Sequence, residues 1–502
     1  MTALGDRHSG DLGGQLSPGT PTVVSVHLSD NPTVSDQHTT WMLLNLLLRL
    51  EGVVDRVILV GRPVGLARRI SPHFAEGTSF AAAATDLASH VGNVPLELED
   101  RAGGVGMHFN IGPGPSIEHA WRVSGHGWQA TLSTGEVPEP AGDTTLPFGP
   151  YAAACLASAE VFRTVRLPSE RYTPVSSLNI DLWNSGVSTG VAPALDLAGV
   201  RLDFGLAGVG AVGVAALNTW WACDALTGLA VIADNDANGI DDTNLNRYVL
   251  FDHRHVGLPK AATACEIYGF GQLEIHPLDG PYEREQVAKW SPRVLLSAVD
   301  TNESRRDLQR AFAPGTAFGA STEGLRAELM VLGPAGEGPC LACHNKVLEG
   351  IPDEVTRRQV RVMTDTDLLE LAAATQTSPD VLRHWAQTGA CGLVNEAALG
   401  HLLTPESQQQ LWSVGFVSVF AGLMLAGQTV KHALRVGMAP FGTSSRFQFR
   451  QPQAIGNGKP RAVQADPACA VCANEVHRDV WARHGSAAHA SAGEPGSAEP
   501  RR

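Results

Sequence analysis

Between Leu229 and Ala261 an apolar run ends in "DND" at Asp234–Asp236, followed by "NLNR" at Asn244–Arg247 and "GLPK" at Gly257–Lys260. An acid, an amide and two cations on one supersecondary unit suit a sugar carrying a polyphosphate. The acid can bond ribose hydroxyls, and Asn244, Arg247 and Lys260 can hold phosphate charge. Just upstream, "GVGAVG" sets Gly208, Gly210 and Gly213 in G-x-G-x-x-G spacing, between a predicted strand and a predicted helix. Glycines there let the backbone approach a phosphate, and the helix N-terminus adds amide donors and partial positive charge. Downstream, "SAVDTN" ends another predicted strand on Asp300, a carboxylate able to hold Mg²⁺ against phosphate oxygens. Singly, each of these polar residues reads as a solvated loop side chain. Together they describe a nucleoside triphosphate with its metal.

The eight cysteines carry a second chemistry. Cys340 and Cys343 form "CLAC", and Cys469 and Cys472 form "CAVC". Two such pairs supply the four thiolates of a tetrahedral structural Zn²⁺ site, which would pin the C-terminal segment to the preceding domain. "CLACH" also matches the c-type haem attachment pattern. That chemistry needs export; the N-terminus shows no apolar signal segment, and the second pair has no following histidine. Cys155, Cys223 and Cys265 fall in predicted helices among apolar neighbours and read as buried structural thiols. Cys391, in "QTGACGLVNE", follows a predicted helix within a long connection. It is either a structural loop thiol or a nucleophile on a loop that can reach an activated carbonyl. His384 and His401 flank it as candidate bases, and His253 and His255 read as solvated loop residues.

These residues need a scaffold. Apolar residues make up 43% of the chain and charged residues 18%, a composition that builds buried cores. The 502 residues accommodate two or three domains. A formal charge of −14 argues against a nucleic-acid partner. The apolar run Ser413–Gly427 is too short and too interrupted to span a bilayer and predicts a buried core helix. No membrane role is implied, and a cytoplasmic location with reduced thiols is expected. Strands are predicted at Thr22–Asp30, Asp55–Gly61, Gln272–Leu278, Arg293–Asp300 and Arg326–Gly333. Helices are predicted at His38–Gly52 and Pro147–Val165, and after the hydroxyl caps Ser378 and Thr404. Strands alternating with helices favour a mainly parallel sheet covered on both faces. The first βαβ unit has neither a glycine cluster nor an acid closing its second strand, so it offers the scaffold without the nucleotide residues. Residues 1–20 and 483–502 read as flexible tails, and Arg446–Ala468 as an extended connection.

The ordered motifs resemble the signature of the ubiquitin-activating and sulfur-carrier-adenylylating superfamily, the ThiF/MoeB-like adenylyltransferases: D-x-D at a strand end, then N-x-x-R, then G-x-P-K. The resemblance covers roughly Leu197 to Leu434. It implies ATP, Mg²⁺ and Zn²⁺ as cofactors, Asp234 on the ribose, Asn244, Arg247 and Lys260 on the phosphates, and Asp300 on magnesium. Two departures stand out. The loop between Asp236 and Asn244 is about two residues longer than is usual there, and Tyr248 stands where the family commonly has Gln. An arginine from a second adenylation domain usually reaches the phosphates; by position alone, Arg49 and Arg62 are candidates.

The fold class implied is α/β: a Rossmann-like, mainly parallel sheet preceded by a degenerate Rossmann-like domain, with a zinc-pinned C-terminal segment. Residues 21–170 would be an inactive adenylation-like domain and 179–440 the active one. A crossover loop over 344–400 would carry Cys391, and an extension over 446–482 would complete the zinc site. A tandem of this kind resembles bacterial activating enzymes for ubiquitin-like proteins, including those used against phage. The activity implied is adenylation of the carrier's C-terminal carboxylate, then a thioester on Cys391 and transfer to a conjugating enzyme, with a homodimer as a further expectation. Sulfur-carrier activation of the molybdopterin or thiamine type, adenylylation without a cysteine step, and a nucleotide-binding scaffold without turnover remain the alternatives.

Overall fold

The computed structural model describes residue 16 and residues 19–479, apart from 63, 101–105, 114–118, 136–144, 168–171, 185, 188–192, 270, 281, 283–289, 291, 293, 312–315, 334–337, 346–356, 358–359, 376, 389–413, 455 and 477. The chain divides into two compact units, one of residues 1–345 and 413–502, the other of residues 346–412.

In the larger unit the chain first runs β1 (Thr22–Leu28), α1 (Val34–Leu47), β2 (Val54–Val60), α2 (Phe80–Val91), β3 (Leu96–Glu99), β4 (Met107–Ile111), β5 (Trp121–His126), β6 (Gln129–Ser133), α3 (Phe148–Arg166), β7 (Ser177–Asp181) and β8 (Gly186–Val187). It continues through β9 (Arg201–Ala207), α4 (Ala211–Ala222), β10 (Thr227–Asp234), α5 (Lys260–Ile267), β11 (Leu273–Asp279), β12 (Val294–Ser297), α6 (Asn302–Ala311), β13 (Thr316–Glu323), β14 (Arg326–Leu332) and α7 (Leu341–His344). The smaller unit holds α8 (Asp365–Ala374) and α9 (Pro379–Thr388). The chain then returns to the larger unit with α10 (Gly415–Leu434), β15 (Thr443–Gln448) and β16 (Pro460–Ala462).

The strands make two eight-stranded sheets, ordered β3-β2-β1-β4-β5-β6-β7-β8 and β11-β10-β9-β12-β13-β14-β15-β16. Adding eight to each number of the first order gives the second. In both sheets the first four pairings are parallel and the last three antiparallel. Helices repeat too: α1 and α4 each follow the central strand, and α3 and α10 each lie between the sixth and seventh strands of their halves. The chain therefore holds the same α/β Rossmann-like topology twice.

In the second sheet alternate residues of β9 face opposite ways. Phe204 meets Trp220 of α4, with ring centroids 4.5 Å apart. Ala207 instead joins a buried cluster with Val231, Leu295, Leu308 of α6 and Leu341 of α7. Helices thus cover both faces. The apolar run expected as a core helix is α10, buried from Gly415 to Lys431. It packs tightly on α4, because a Cβ at Gly422 would come within 2.6 Å of the Ala215 Cβ.

Several sequence expectations shift. The first helix starts at Val34, four residues before His38, because Thr33 and Asp36 form a capping box. The strand expected over Arg293–Asp300 pairs only over Val294–Ser297. Ser177–Asp181 and Gly186–Val187, at the expected start of the second block, hydrogen-bond into the first sheet. Arg446–Ala468 is not simply a connection, since part of it lies in β15 and β16 at the edge of the second sheet. The helix expected after Thr404 lies outside the described residues. In the smaller unit, α8 and α9 pack through Leu368, Leu371, Leu382 and Trp385.

Candidate functional site

The central strand of the second half, β9, runs directly into Gly208. Its backbone φ is +95°, a conformation that L side chains rarely adopt. Its N–H donates to the Ala233 carbonyl of β10 at 2.8 Å. A Cβ there would approach the Ala298 carbonyl carbon, just past β12, to 2.7 Å. Gly213, in the first turn of α4, sits on the Gly208 carbonyl oxygen, which a Cβ would meet at 2.1 Å. Gly210 is the N-cap of α4, with no side-chain cap and nothing within 4 Å of its Cβ position. The first amides of α4 are therefore available to an anion. The first half does the opposite. Thr33 Oγ1 accepts from the Asp36 N–H at 3.1 Å, and Asp36 Oδ2 accepts from the Thr33 N–H at 3.0 Å. The chain's own carboxylate thus occupies the N-terminus of α1.

Asp234 closes β10. Its Oδ2 accepts from the Val209 N–H of the glycine turn at 2.7 Å, and its Oδ1 accepts from the Asp236 N–H at 3.1 Å. Lys260 opens α5 and is largely buried. Its Nζ lies 2.5 Å from Asp236 Oδ2 and 3.9 Å from Asp234 Oδ1. Burial disfavours its charge, but Tyr248, Asp234 and Asp236 more than offset this and raise its pKa above the ordinary lysine value. Burial likewise works against the Asp236 carboxylate, and its bond to Lys260 reverses the balance and lowers its pKa. Lys260 and Asp236 are thus both ionised at neutral pH, next to the strand end that Asp234 ties to the glycine turn.

Asn244 is buried, and its Oδ1 accepts from the half-buried Arg247 guanidinium. The next residue, Tyr248, is 1% exposed. This segment is held from the first half. Asn45 of α1 donates to the Val249 carbonyl at 2.8 Å, and Arg49 donates to the Leu245 and Phe251 carbonyls at 2.5 and 3.0 Å. Arg49 is buried, and burial, partly opposed by Asp252, lowers its pKa to about 9. Arg49 therefore props the loop that carries Asn244 and Arg247. Arg62 is mostly exposed and pairs with Asp30 at 3.2 Å. Sequence reasoning placed Arg49 by position alone. Its reach to backbone carbonyls some two hundred residues away leaves no local signal.

Asp300 lies three residues past β12, and Ala298, the first residue after that strand, donates its N–H to the Ala207 carbonyl at 2.8 Å. That places Asp300 on the strand end beside the glycine turn, with its side chain exposed. Cys391 and His401 lie outside the described residues. His255 is not a solvated loop residue, since its Nδ1 lies 3.0 Å from the buried Asp252 carboxylate. His253 is more exposed and lies 3.1 Å from Asp242. Cys155 and Cys223 are buried as expected, whereas Cys265 is only half-buried.

The other four cysteines meet in one place. Cys340 Sγ lies 3.8 Å from Cys343 Sγ and 3.7 Å from Cys469 Sγ, and Cys343 Sγ lies 3.3 Å from Cys472 Sγ. All four are buried, and their sulfurs lie within 4.8 Å of one another. Zn–S bonds of about 2.3 Å in a tetrahedron imply sulfur separations near 3.8 Å. The set fits Zn²⁺. Hydrogen bonding to Cys343, then burial, pushes the Cys340 thiol up, while the Cys340 bond brings Cys343 down to about 4. Burial pushes Cys472 up to about 12. To hold Zn²⁺ all four would be thiolates, and the cation between them would offset their mutual repulsion.

The sequence profile of the ThiF family matches residues 200–471, more than half of the chain. The chain belongs to the ThiF family. The uncharacterized protein y4jF of Sinorhizobium fredii (strain NBRC 101917 / NGR234) is 28% identical over 395 residues, covering 72% of this chain and 74% of that protein. A crystal structure of E. coli MccB with MccA-N7isoASN aligns at 14% identity and TM-score 0.35, over 54% of this chain and 67% of that one. E. coli MccB with succinimide aligns at 13% identity and TM-score 0.34, over 54% and 66%. Overlaps this partial carry no functional weight.

ThiF-family adenylyltransferases use ATP and Mg²⁺. The residues present fit that pair. The uncapped start of α4, Lys260, Arg247 and Asn244 offer donors to phosphates. Asp234 offers an acceptor to hydroxyls, and Asp300 an exposed carboxylate to Mg²⁺, which would neutralise phosphate charge. Among the described residues no helix is long and apolar enough to cross a membrane.

Proposed function

We propose that this protein activates the C-terminal carboxylate of a ubiquitin-like protein with ATP. The carboxylate oxygen attacks the α-phosphorus, pyrophosphate leaves, and an acyl-adenylate forms. The observation that carries this is the meeting of Asp234, Lys260 and the glycine turn at the C-terminal ends of β9 and β10, with Asn244 and Arg247 on the loop between β10 and α5. Nothing in this group is a nucleophile, so its work is positioning and charge stabilisation. Lys260 and Arg247 hold the phosphates, Asp234 fixes the ribose, and Asp300 holds magnesium. The acyl group then passes to the Cys391 thiolate as a thioester, with AMP leaving, and on to a conjugating enzyme. The repeated topology supports a tandem activating enzyme of the kind used against phage, in which one half is inactive. A second copy of the chain is a further proposed partner.

The test is ATP–pyrophosphate exchange with a small β-grasp carrier. Exchange that depends on the carrier and is lost in both Asp300→Ala and Lys260→Ala supports the reading. Cys391→Ala should retain exchange and lose a thiol-sensitive carrier adduct. Binding of ATP without any carrier-dependent exchange would leave only a nucleotide scaffold. A requirement for a sulfur donor would move the assignment to sulfur-carrier activation.

A further inference from the structure

The turn that carries Asp300 is held from the side of the sheet where the cysteines meet. Asp300 itself is exposed, and the point it starts from is set by the residues before it. Val299 packs its side chain against the buried cluster that includes Leu308 of α6 and Leu341 of α7. The Val299 carbonyl accepts from Arg305 Nη2 at 2.8 Å. The peptide joining Ala298 to Val299 lies against the glycine turn, since a Cβ at Gly208 would come within 2.9 Å of the Val299 nitrogen. One short segment therefore touches the glycine turn, carries the proposed magnesium ligand and is held by one arginine.

Arg305 is buried, and its donors are spread over three elements. Nη1 donates to Asn302 Oδ1 at 2.7 Å and lies 3.5 Å from Asn345 Oδ1. Asn345 is the C-cap of α7, the short helix whose N-cap is Cys340 and which contains Cys343. Its Nδ2 donates back to the Leu341 carbonyl at 2.9 Å, which leaves Oδ1 to face Arg305. One turn further along α6, Gln309 Oε1 accepts from the Leu341 N–H at 3.2 Å. Residues four apart share a helix face, so Gln309 and Arg305 meet the first residue of α7 and its C-cap. A guanidinium has five donors in a rigid plane, which lets one side chain serve Val299, Asn302 and Asn345 together. A lysine ammonium, a compact charge on a flexible stem, does not cover that spread.

Resting on the adenylation reading, we propose that Arg305 is a positioning residue for the magnesium ligand: through Asn345 and the Val299 carbonyl it ties the turn bearing Asp300 to the helix of the cysteine centre. The four cysteines then do more than pin the C-terminal segment. By fixing α7 they fix one partner of Arg305, and with it the point from which the Asp300 carboxylate reaches a metal bound to phosphate. Mg²⁺ tolerates little displacement of its ligands, because it demands near-ideal octahedral geometry.

The experiment is calorimetric titration of the full chain with ATP, with and without Mg²⁺ and with no chelator, so that zinc stays in place. The quantity read is the gain in ATP affinity on adding Mg²⁺. Arg305→Lys keeps the charge and should lose about tenfold of that gain, the scale of a hydrogen bond to a charged group, while affinity for Mg²⁺-free ATP stays within about twofold. Asn345→Ala leaves Arg305 on Val299 and should lose about threefold of the gain. It also serves as the second variant where Arg305→Lys fails to fold. In an Asp300→Ala background, which lacks the gain, Arg305→Lys should change ATP affinity by less than about twofold, because the arginine then has no carboxylate to place. An undiminished gain in Arg305→Lys, or equal weakening of ATP with and without Mg²⁺, would overturn the proposal. An undiminished gain in Asn345→Ala would overturn the tie to the cysteine helix. An undiminished gain in Asp300→Ala would instead remove Asp300 from the metal site, and a wild-type chain that binds no ATP would remove the adenylation reading itself.

Discussion

At the scale of single residues, the glycine pattern is explained by contact. Gly208 needs its left-handed backbone, and Gly213 needs an absent Cβ because the helix rests on a carbonyl oxygen. Gly210 needs neither, and its open surroundings are what a ligand requires. These roles separate on mutation. Gly213→Ala should lift α4 off the turn and cost about 1–3 kcal/mol of stability, as overpacking does. It should also weaken MgATP binding, as measured by a thermal melt and a nucleotide titration. An alanine variant with wild-type melting and wild-type affinity would show that the turn relaxes freely. The acids here are equally specific. Asp234 was legible from its place after an apolar run. Its bond to Val209 N–H, which ties strand end to glycine turn, depends on two segments about twenty-five residues apart and has no sequence signature.

At the scale of elements, two helix starts differ. α1 and α4 occupy equivalent positions in two copies of one topology. α1 is closed by the Thr33–Asp36 capping box, and α4 is left open at Gly210. The absence of a glycine cluster in the first half therefore has a structural counterpart, since the Thr33 hydroxyl takes a first-turn amide and the Asp36 carboxylate sits at the helix start where a phosphate would otherwise bind. The cysteine pairs act on a similar scale. Cys340 is the N-cap of α7 and Cys343 lies within it, and Cys469 and Cys472 approach them after β16. Elemental analysis should find about one zinc per chain. Cys469→Ser should lose it and lower the melting temperature, since binding to the folded state alone adds directly to stability. Full metal retention by that variant would show that the cysteine cluster is not the zinc site.

At the scale of the whole molecule, the two sheets lie within one compact unit and share buried contacts. Phe162 of α3 meets Phe416 of α10, with centroids 5.7 Å apart. Lys431 of α10 reaches across to donate to the Leu182 and Trp183 carbonyls at 3.2 Å each. Lys431 is buried, and burial, only partly offset by Asp181, lowers its pKa to about 8 from about 10.5. Between those values the unfolded chain binds more protons than the folded one, so this group's contribution rises with pH. It is complete above about 10.5 and lost as pH falls through about 8. The melting temperature of wild type minus that of Lys431→Met should therefore increase from pH 8 to pH 10. A difference that stays flat across this range would refute the assigned titration.

Local pattern determined the chemistry. The order of acid, amide and cations, the glycine spacing, the two C-x-x-C pairs and the apolar run of α10 are all written in consecutive residues, because propensity and motif spacing act over a few positions. Pairing was another matter. That β7 and β8 belong to the first sheet, that β15 and β16 complete the second, and that the first half repeats the topology of the second depended on hydrogen bonds between distant strands. The same holds for Arg49 beneath the loop that carries Asn244 and Arg247, and for Lys260 against Asp236. Such contacts are chosen by burial and complementary shape after the chain has folded, so a linear reading can name the residues while only the tertiary structure decides what each one touches.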